Sequence, residues 1–242
     1  MSDMASSREW IRSLTDLLFP RLCCGCGERL ALGEQLVCSR CQLSLPLETN
    51  HDWDFNRRKA LWIDHKRLVR MGALTRYQRG NVASELVRSL KFRRHYLLGE
   101  WMGRTAVQLL RHTNLFEGVE VLVPIPLTRQ RRFLRGFNQA EAIARGMASE
   151  LGIPVRTDVL RRIYDRESQT HFTLAQRLEN ADHVFALQSD SDLAQRHVMV
   201  VDDVMTTGTT MLGAIEALEA VPTVRISTFV FAWVYMPAAA HI

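Results

Sequence analysis

Residues 197–210 read HVMVVDDVMTTGTT, and the order of residue types in this stretch decides the fold. The apolar run at 198–201 reads as a short buried strand that stops at two adjacent carboxylates, Asp202 and Asp203. A turn of small hydroxyl residues and one glycine follows: Thr206, Thr207, Gly208, Thr209 and Thr210. Helical spacing then resumes with Met211, Ile215 and Leu218. Strand, acidic pair, Thr/Gly turn and helix start together form a phosphate site with contacts for sugar hydroxyls. The free amides of the turn and of the helix N-terminus point at an anion, and the helix dipole favours it. Carboxylates at a strand tip accept hydrogen bonds from a ribose diol or hold a metal through water. Either half alone reads as an Asp-rich turn or a threonine cap; the ordered combination favours a ligand site. No Gly-Lys-Ser/Thr follows the glycine, so this is not a P-loop.

The stretch resembles the signature of the type I phosphoribosyltransferases, which bind phosphoribosyl pyrophosphate (PRPP) with Mg2+. In that family the two acidic residues hold the ribose 2'- and 3'-hydroxyls and the following loop wraps the 5'-phosphate. The resemblance implies the first role, at the catalytic centre, for Asp202 and Asp203. It implies the second for Met205, Thr206, Thr207, Gly208, Thr209 and Thr210.

A length of 242 residues accommodates one α/β domain of ordinary size plus a small appendage. A chain 47% hydrophobic and 24% charged reads as globular. No run of 18 apolar residues predicts a membrane span, and the first residues lack an apolar core of signal-peptide length, so a cytoplasmic protein is expected. The net charge of +5 is unevenly spread: Arg129, Arg131, Arg132 and Arg135 form one cluster, and Arg156, Arg161, Arg162 and Arg166 a second. Such clusters suit nucleic acid or a polyphosphate, or form a solvated surface, the plainer reading of the second group.

All five cysteines lie between positions 23 and 41. Cys23-Cys24-Gly25-Cys26 and Cys38-Ser39-Arg40-Cys41 are two CxxC knuckles separated by 11 residues. Four thiolates paired in this way suit tetrahedral zinc, with Cys23, Cys26, Cys38 and Cys41 as ligands in a closed, structural site. A disulfide pair, a redox CxxC and an iron–sulfur cluster are the rival readings; a reducing compartment and the ribbon-like spacing favour zinc. Cys24 is left over, and spacing favours Cys23 over it as the ligand. Upstream, Trp10, Ile11, Leu14, Leu17 and Leu18 repeat at helical spacing.

After a mixed segment at 51–67, read as a linker, the pattern tightens. It predicts a strand over 71–77, helices over 82–92 and 97–112, and a buried strand over 119–125 ended by prolines. An arginine-rich loop follows, and then a helix over 139–151 that stops at Gly152. Guanidinium groups on a loop at a strand's carboxyl edge suit a pyrophosphate.

The VPIPL run at 123–127, the RGFNQA run at 135–140 and SQTHFTLAQRLENADHVFAL at 168–187 are similar to motifs of the ComF family, including its GntX relatives. So are Phe19-Pro20 and the four-cysteine N-terminus, although Val184-Phe185 stands where the family pattern has Ala-Phe. The resemblance implies an α/β fold with a type I phosphoribosyltransferase-like parallel sheet flanked by helices. A small four-cysteine zinc-ribbon-like module (residues 1–50) would precede this domain (68–242), and the protein would be linked to competence or DNA utilisation. Comparison with related transferases puts Arg132 and Arg135 on the pyrophosphate side, and Gln169, Arg177 and Asn180 on a lid that excludes water. Two functions fit. One is transfer of the phosphoribosyl group to an acceptor. The other is an accessory protein that senses a nucleotide or sugar phosphate while engaging single-stranded DNA or a DNA-processing partner.

Overall fold

A computed structural model describes residues 20–48, 62, 64–93, 95–163, 184–189 and 192–234. The expected N-terminal helix, most of the linker and the lid residues Gln169, Arg177 and Asn180 lie outside the described residues.

The core is a four-stranded parallel sheet of β1 (Leu68–Tyr77), β6 (Arg225–Val234), β5 (His197–Met205) and β2 (Val121–Pro124), in that order. Parallel strands need long crossovers, and helices supply them. These are α2 (Val82–Phe92) and α3 (Tyr96–Leu110) after β1, α4 (Arg129–Arg135) and α5 (Gln139–Leu151) after β2, and α6 (Thr209–Glu219) between β5 and β6. Local chemistry sets their ends. The Asn81 side chain accepts from the Ser84 amide at the start of α2, and Asn138 does the same for Ala140 at the start of α5. Between α3 and α5 the backbones touch: a Cβ on Gly103 would lie 2.0 Å from the Ile143 carbonyl oxygen, and one on Gly146 would lie 2.0 Å from that of Glu100. Glycine is required at both positions.

Side chains alternate across the sheet into two cores. Met199 and Val201 of β5 pack with α2, α3 and α5 on one face. Val198 and Val200 pack with α6 and with a small antiparallel ladder, β3 (Leu160–Arg162) on β4 (Phe185–Leu187), on the other. The cysteine module, with its short helix α1 (Ser39–Leu43), belongs to the first core. Cys24, Val37, Cys41 and Leu45 are buried in the same cluster as Leu86 and Leu90 of α2. Residues 46–48 then cover the edge of β1: Leu47 bridges Thr75, and the Glu48 amide donates to the Leu74 carbonyl.

Two expectations change. The arginine-rich segment is a helix, α4, because the Thr128 hydroxyl accepts from the Arg131 amide at its start and Gly136 takes a left-handed conformation at its end. The strand bearing the acidic pair does not stop at Val201. β6 continues to pair with it through Met205, so Asp202 and Asp203 lie within the strand rather than at its tip. β2 does stop, at Pro124 opposite Val201, which leaves one side of β5 open from Asp202 onward.

Candidate ribose-phosphate site and cysteine centre

The end of β5 beyond its pairing with β2 lies at the carboxyl edge of a parallel sheet, where such folds hold ligands. Alternation along β5 turns Asp203 toward the α2 face and Asp202 toward the face of β3 and β4. Asp203 is 6% exposed, and the Lys91 ammonium at the end of α2 lies 3.2 Å from its Oδ2. That oxygen accepts no hydrogen bond. Asp202 accepts from the Asp203 amide at 2.8 Å. Burial, then the neighbouring Asp203 charge, push the Asp202 carboxyl up to about 7, against the pull of the Asp203 amide, Lys91 and Arg162. Arg162 belongs to β3, with its guanidinium 5.3 Å from the centroid of the Phe185 ring.

The turn after β5 is polar and exposes hydroxyl residues. Thr206 and Thr207 are exposed, and the Thr207 and Thr209 hydroxyls lie 2.8 Å apart. Gly208, at φ 83°, begins α6, and no side chain caps its first amides. A Cβ on Gly208 would lie 2.6 Å from Trp62 Cζ2, so the indole rests directly on this turn. The nearby chain is anchored to α6, since His65 Nδ1 meets Glu219 Oε2 at 3.0 Å.

On the neighbouring strand, the Ile125 amide donates to the Val201 carbonyl, so the segment leaving β2 starts beside Asp202. The Asn138 side chain donates back to the Ile125 carbonyl and closes that segment at its base. The guanidinium of Arg135 donates to Gln139 Oε1, and Arg132 is exposed. The fold therefore places α4 at the same sheet edge as the acidic pair. Of the second basic group, Arg156 is engaged by Asp158 and Asp192 in a surface ion cluster.

The sulfurs of Cys23, Cys26, Cys38 and Cys41 all lie within 4.8 Å of one another, and those of Cys26 and Cys38 are 3.8 Å apart. A tetrahedron of sulfurs about 2.3 Å from zinc has edges of about 3.8 Å, so the donor set fits such an ion. Cys24 turns away to pack beside Ser89 on α2, where burial pushes its thiol up. Burial also pushes the Cys23 thiol up, but the amides of Cys38, Cys26 and Gly25 outweigh it and hold the thiol down at about 7. Burial and the three neighbouring thiols push Cys41 well up.

Three contributors carried no sequence signal. Lys91 reads as one more polar residue of an amphipathic helix, Arg162 as a surface arginine and Trp62 as part of a linker. Only the fold brings them to the acidic strand and its turn.

Comparison with known proteins agrees with this geometry. The family described as "Phosphoribosyl transferase domain" matches residues 138–237, which include the acidic pair and the turn but begin after α4. "Competence protein F" of Haemophilus influenzae is 26% identical over 198 residues, covering 78% of this chain and 80% of its own. The chain is thus similar over most of its length to a competence protein, and it carries a phosphoribosyltransferase domain. "DNA utilization protein YhgH" of Escherichia coli K12 is 27% identical to this chain over 208 residues, covering 81% of it and 89% of its own length. Among solved structures, that of "the allosteric regulatory enzyme of purine biosynthesis" overlays 56% of this chain and 25% of its own. Its identity is 16% and its TM-score 0.40, too slight to speak for function. Among the described residues no helix is long and apolar enough to cross a membrane.

Proposed function

We propose that the chain binds PRPP with Mg2+, or a closely related sugar phosphate, and transfers its phosphoribosyl group to an acceptor within a process of DNA utilisation. One observation supports this most: a single strand–turn–helix inside the matched domain joins a helix N-terminus lacking a side-chain cap to two carboxylates. The 5'-phosphate would lie on the turn from Met205 to Thr210 and the diol on Asp202 and Asp203. Arg132 and Arg135, on the helix that follows β2, would face the leaving pyrophosphate.

In the transfer, the C1–O bond breaks with its electron pair leaving on pyrophosphate. A lone pair of the acceptor forms the new bond to C1 from the opposite face, and the acceptor's proton passes to water. Oxygen donors here suit a hard cation, and Mg2+ supplies positive charge to the diphosphate when bound. The chain's residues hold the sugar and stabilise charge, with no covalent protein nucleophile. For the four cysteines we propose zinc as a structural ion, closed to substrate.

Mixing the protein with Mg2+, PRPP and a panel of nucleobases and amines should release pyrophosphate. Replacing both Asp202 and Asp203 by Asn should stop the release. A second reading, accessory binding of single-stranded DNA, draws on α4. None of its residues is buried, and Phe133 is 85% exposed among arginines, a surface on which bases can stack. PRPP binding without pyrophosphate release across the panel, together with oligonucleotide binding lost in Phe133→Ala, favours that reading.

A further inference from the structure

Two carboxylates are buried near the carboxyl edge of this sheet, and their surroundings differ. Glu48 is 4% exposed and saturated with donors: Arg76 Nε at 2.9 Å, Arg76 Nη2 at 3.0 Å and Trp233 Nε1 at 2.8 Å. It ties residues 46–48 to β1 and β6, which is a structural task. Asp203 is buried to the same degree, yet Lys91 Nζ stands 3.2 Å from Oδ2 without the alignment of a hydrogen bond. A buried carboxylate left in this state is costly unless something else completes it. The ammonium neutralises the charge and leaves the acceptor capacity of this buried oxygen unfilled.

Lys91 is well placed to hold that arrangement. Its helix is fixed on the sheet side by Leu86 and Leu90, both fully buried. On its other side the cysteine module grips it. A Cβ on Gly25 would lie 3.3 Å from Val82 Cγ1, and Cys24 packs beside Ser89, two residues before Lys91. The lysine side chain is 23% exposed, so its stem is confined while its head faces Asp203.

We propose that Lys91 is a positioning residue of the ribose site: it holds the Asp203 carboxylate oriented and open to one hydroxyl of the sugar, and so sets preference for that hydroxyl. The proposal rests on the ribose-phosphate reading given above. Without the ammonium, Asp203 keeps a buried charge with no counterion and turns away, so it ceases to accept from that hydroxyl. Asp202 feels the lysine charge too, but it faces the other side of the strand beside Arg162 and keeps its hydroxyl.

The test compares ribose 5-phosphate with its 2-deoxy and 3-deoxy analogues by isothermal titration, in the wild-type protein and in Lys91→Met, Lys91→Gln and Lys91→Arg. A hydrogen bond to a charged group is worth about tenfold or more in affinity, so the wild type should lose about that much for each missing hydroxyl. In Lys91→Met and Lys91→Gln, one of the two losses should shrink to about threefold or less while the other persists. Lys91→Arg, which keeps the charge, should retain both. A purely structural lysine would weaken all three sugars by the same factor. That outcome, or variants indistinguishable from wild type, overturns the proposal while leaving the ribose-phosphate reading intact. A wild-type protein that binds neither ribose 5-phosphate nor PRPP overturns both.

Discussion

The cysteine centre and the acidic end of β5 are both clusters of ionisable groups, and they are completed in opposite ways. At the cysteine centre the protein supplies every ligand: four sulfurs converge, and the Gly25 and Cys38 amides lie 3.4 and 3.3 Å from Cys23 Sγ. A cation held by all four would have no open position. At the acidic strand the protein supplies half of each interaction. Asp203 Oδ2 accepts no hydrogen bond, α6 begins without a side-chain cap, and β2 withdraws at Pro124. A closed centre of this kind holds structure, whereas an open one exchanges ligands. Removing pieces of the first should therefore act on stability, and removing pieces of the second on binding.

The largest expected effect is on the closed centre. Stripping the metal with a chelator, or Cys38→Ser, should lower the melting temperature by about 10 °C, equivalent to about 4 kcal/mol. The module shares a core with α2 and cannot loosen without exposing Leu86 and Leu90. Metal analysis in parallel should find one zinc per chain before treatment. An unchanged melting curve after complete removal would mean that the sulfurs hold no structural ion.

Glu48→Gln comes next. It breaks a buried carboxylate with three donors, one of whose partners is partly solvated, and should cost about 2 kcal/mol in urea unfolding while leaving sugar-phosphate affinity unchanged.

Asp202→Asn should do the reverse. Its carboxyl is raised in the folded state, so the wild type loses stability as pH rises from about 4 through 7. The Asn variant escapes that loss. It should be more stable than wild type at pH 8 by about 1–2 kcal/mol, allowing for partial solvent screening. The advantage should vanish as pH falls to about 4, while ligand binding is impaired throughout. Equal stability at pH 8 would show that the site is not strained by its own charges.

The smallest effect is expected for Thr207→Ala, which should shift stability by less than about 0.5 kcal/mol because the side chain is exposed. Affinity for ribose 5-phosphate should still fall several-fold, and equal affinity would take the Thr207 hydroxyl out of the phosphate site.

The same contrast explains what the sequence could reveal. The cysteine centre was legible because its ligands are local: two knuckles of fixed spacing specify a tetrahedron without knowledge of the remaining fold. In the structure Cys23 lies with the other three sulfurs, whereas Cys24 packs on α2. The turn after β5 was legible as a strand–turn–helix for the same reason, being contiguous. Long-range partners were not. Lys91 is more than 100 residues from Asp203 in sequence, and Trp62 is farther still from Gly208. Only the parallel crossover topology brings either pair together. The strand's true length was hidden as well, since periodicity marks where apolar residues stop and not where pairing with β6 stops. For α4, the capping pair of Thr128 and Gly136 was the available signal, masked by the run of arginines.

The central claim is that the open end of β5 is a ribose-phosphate site, and titration of Mg2+-PRPP into the metal-replete chain by calorimetry tests it most directly. The account predicts saturable binding to wild type at one site per chain, lost in Asp202→Asn combined with Asp203→Asn although the doubly substituted protein remains folded. Binding that survives the double substitution, or no binding by the folded wild-type chain, would contradict it.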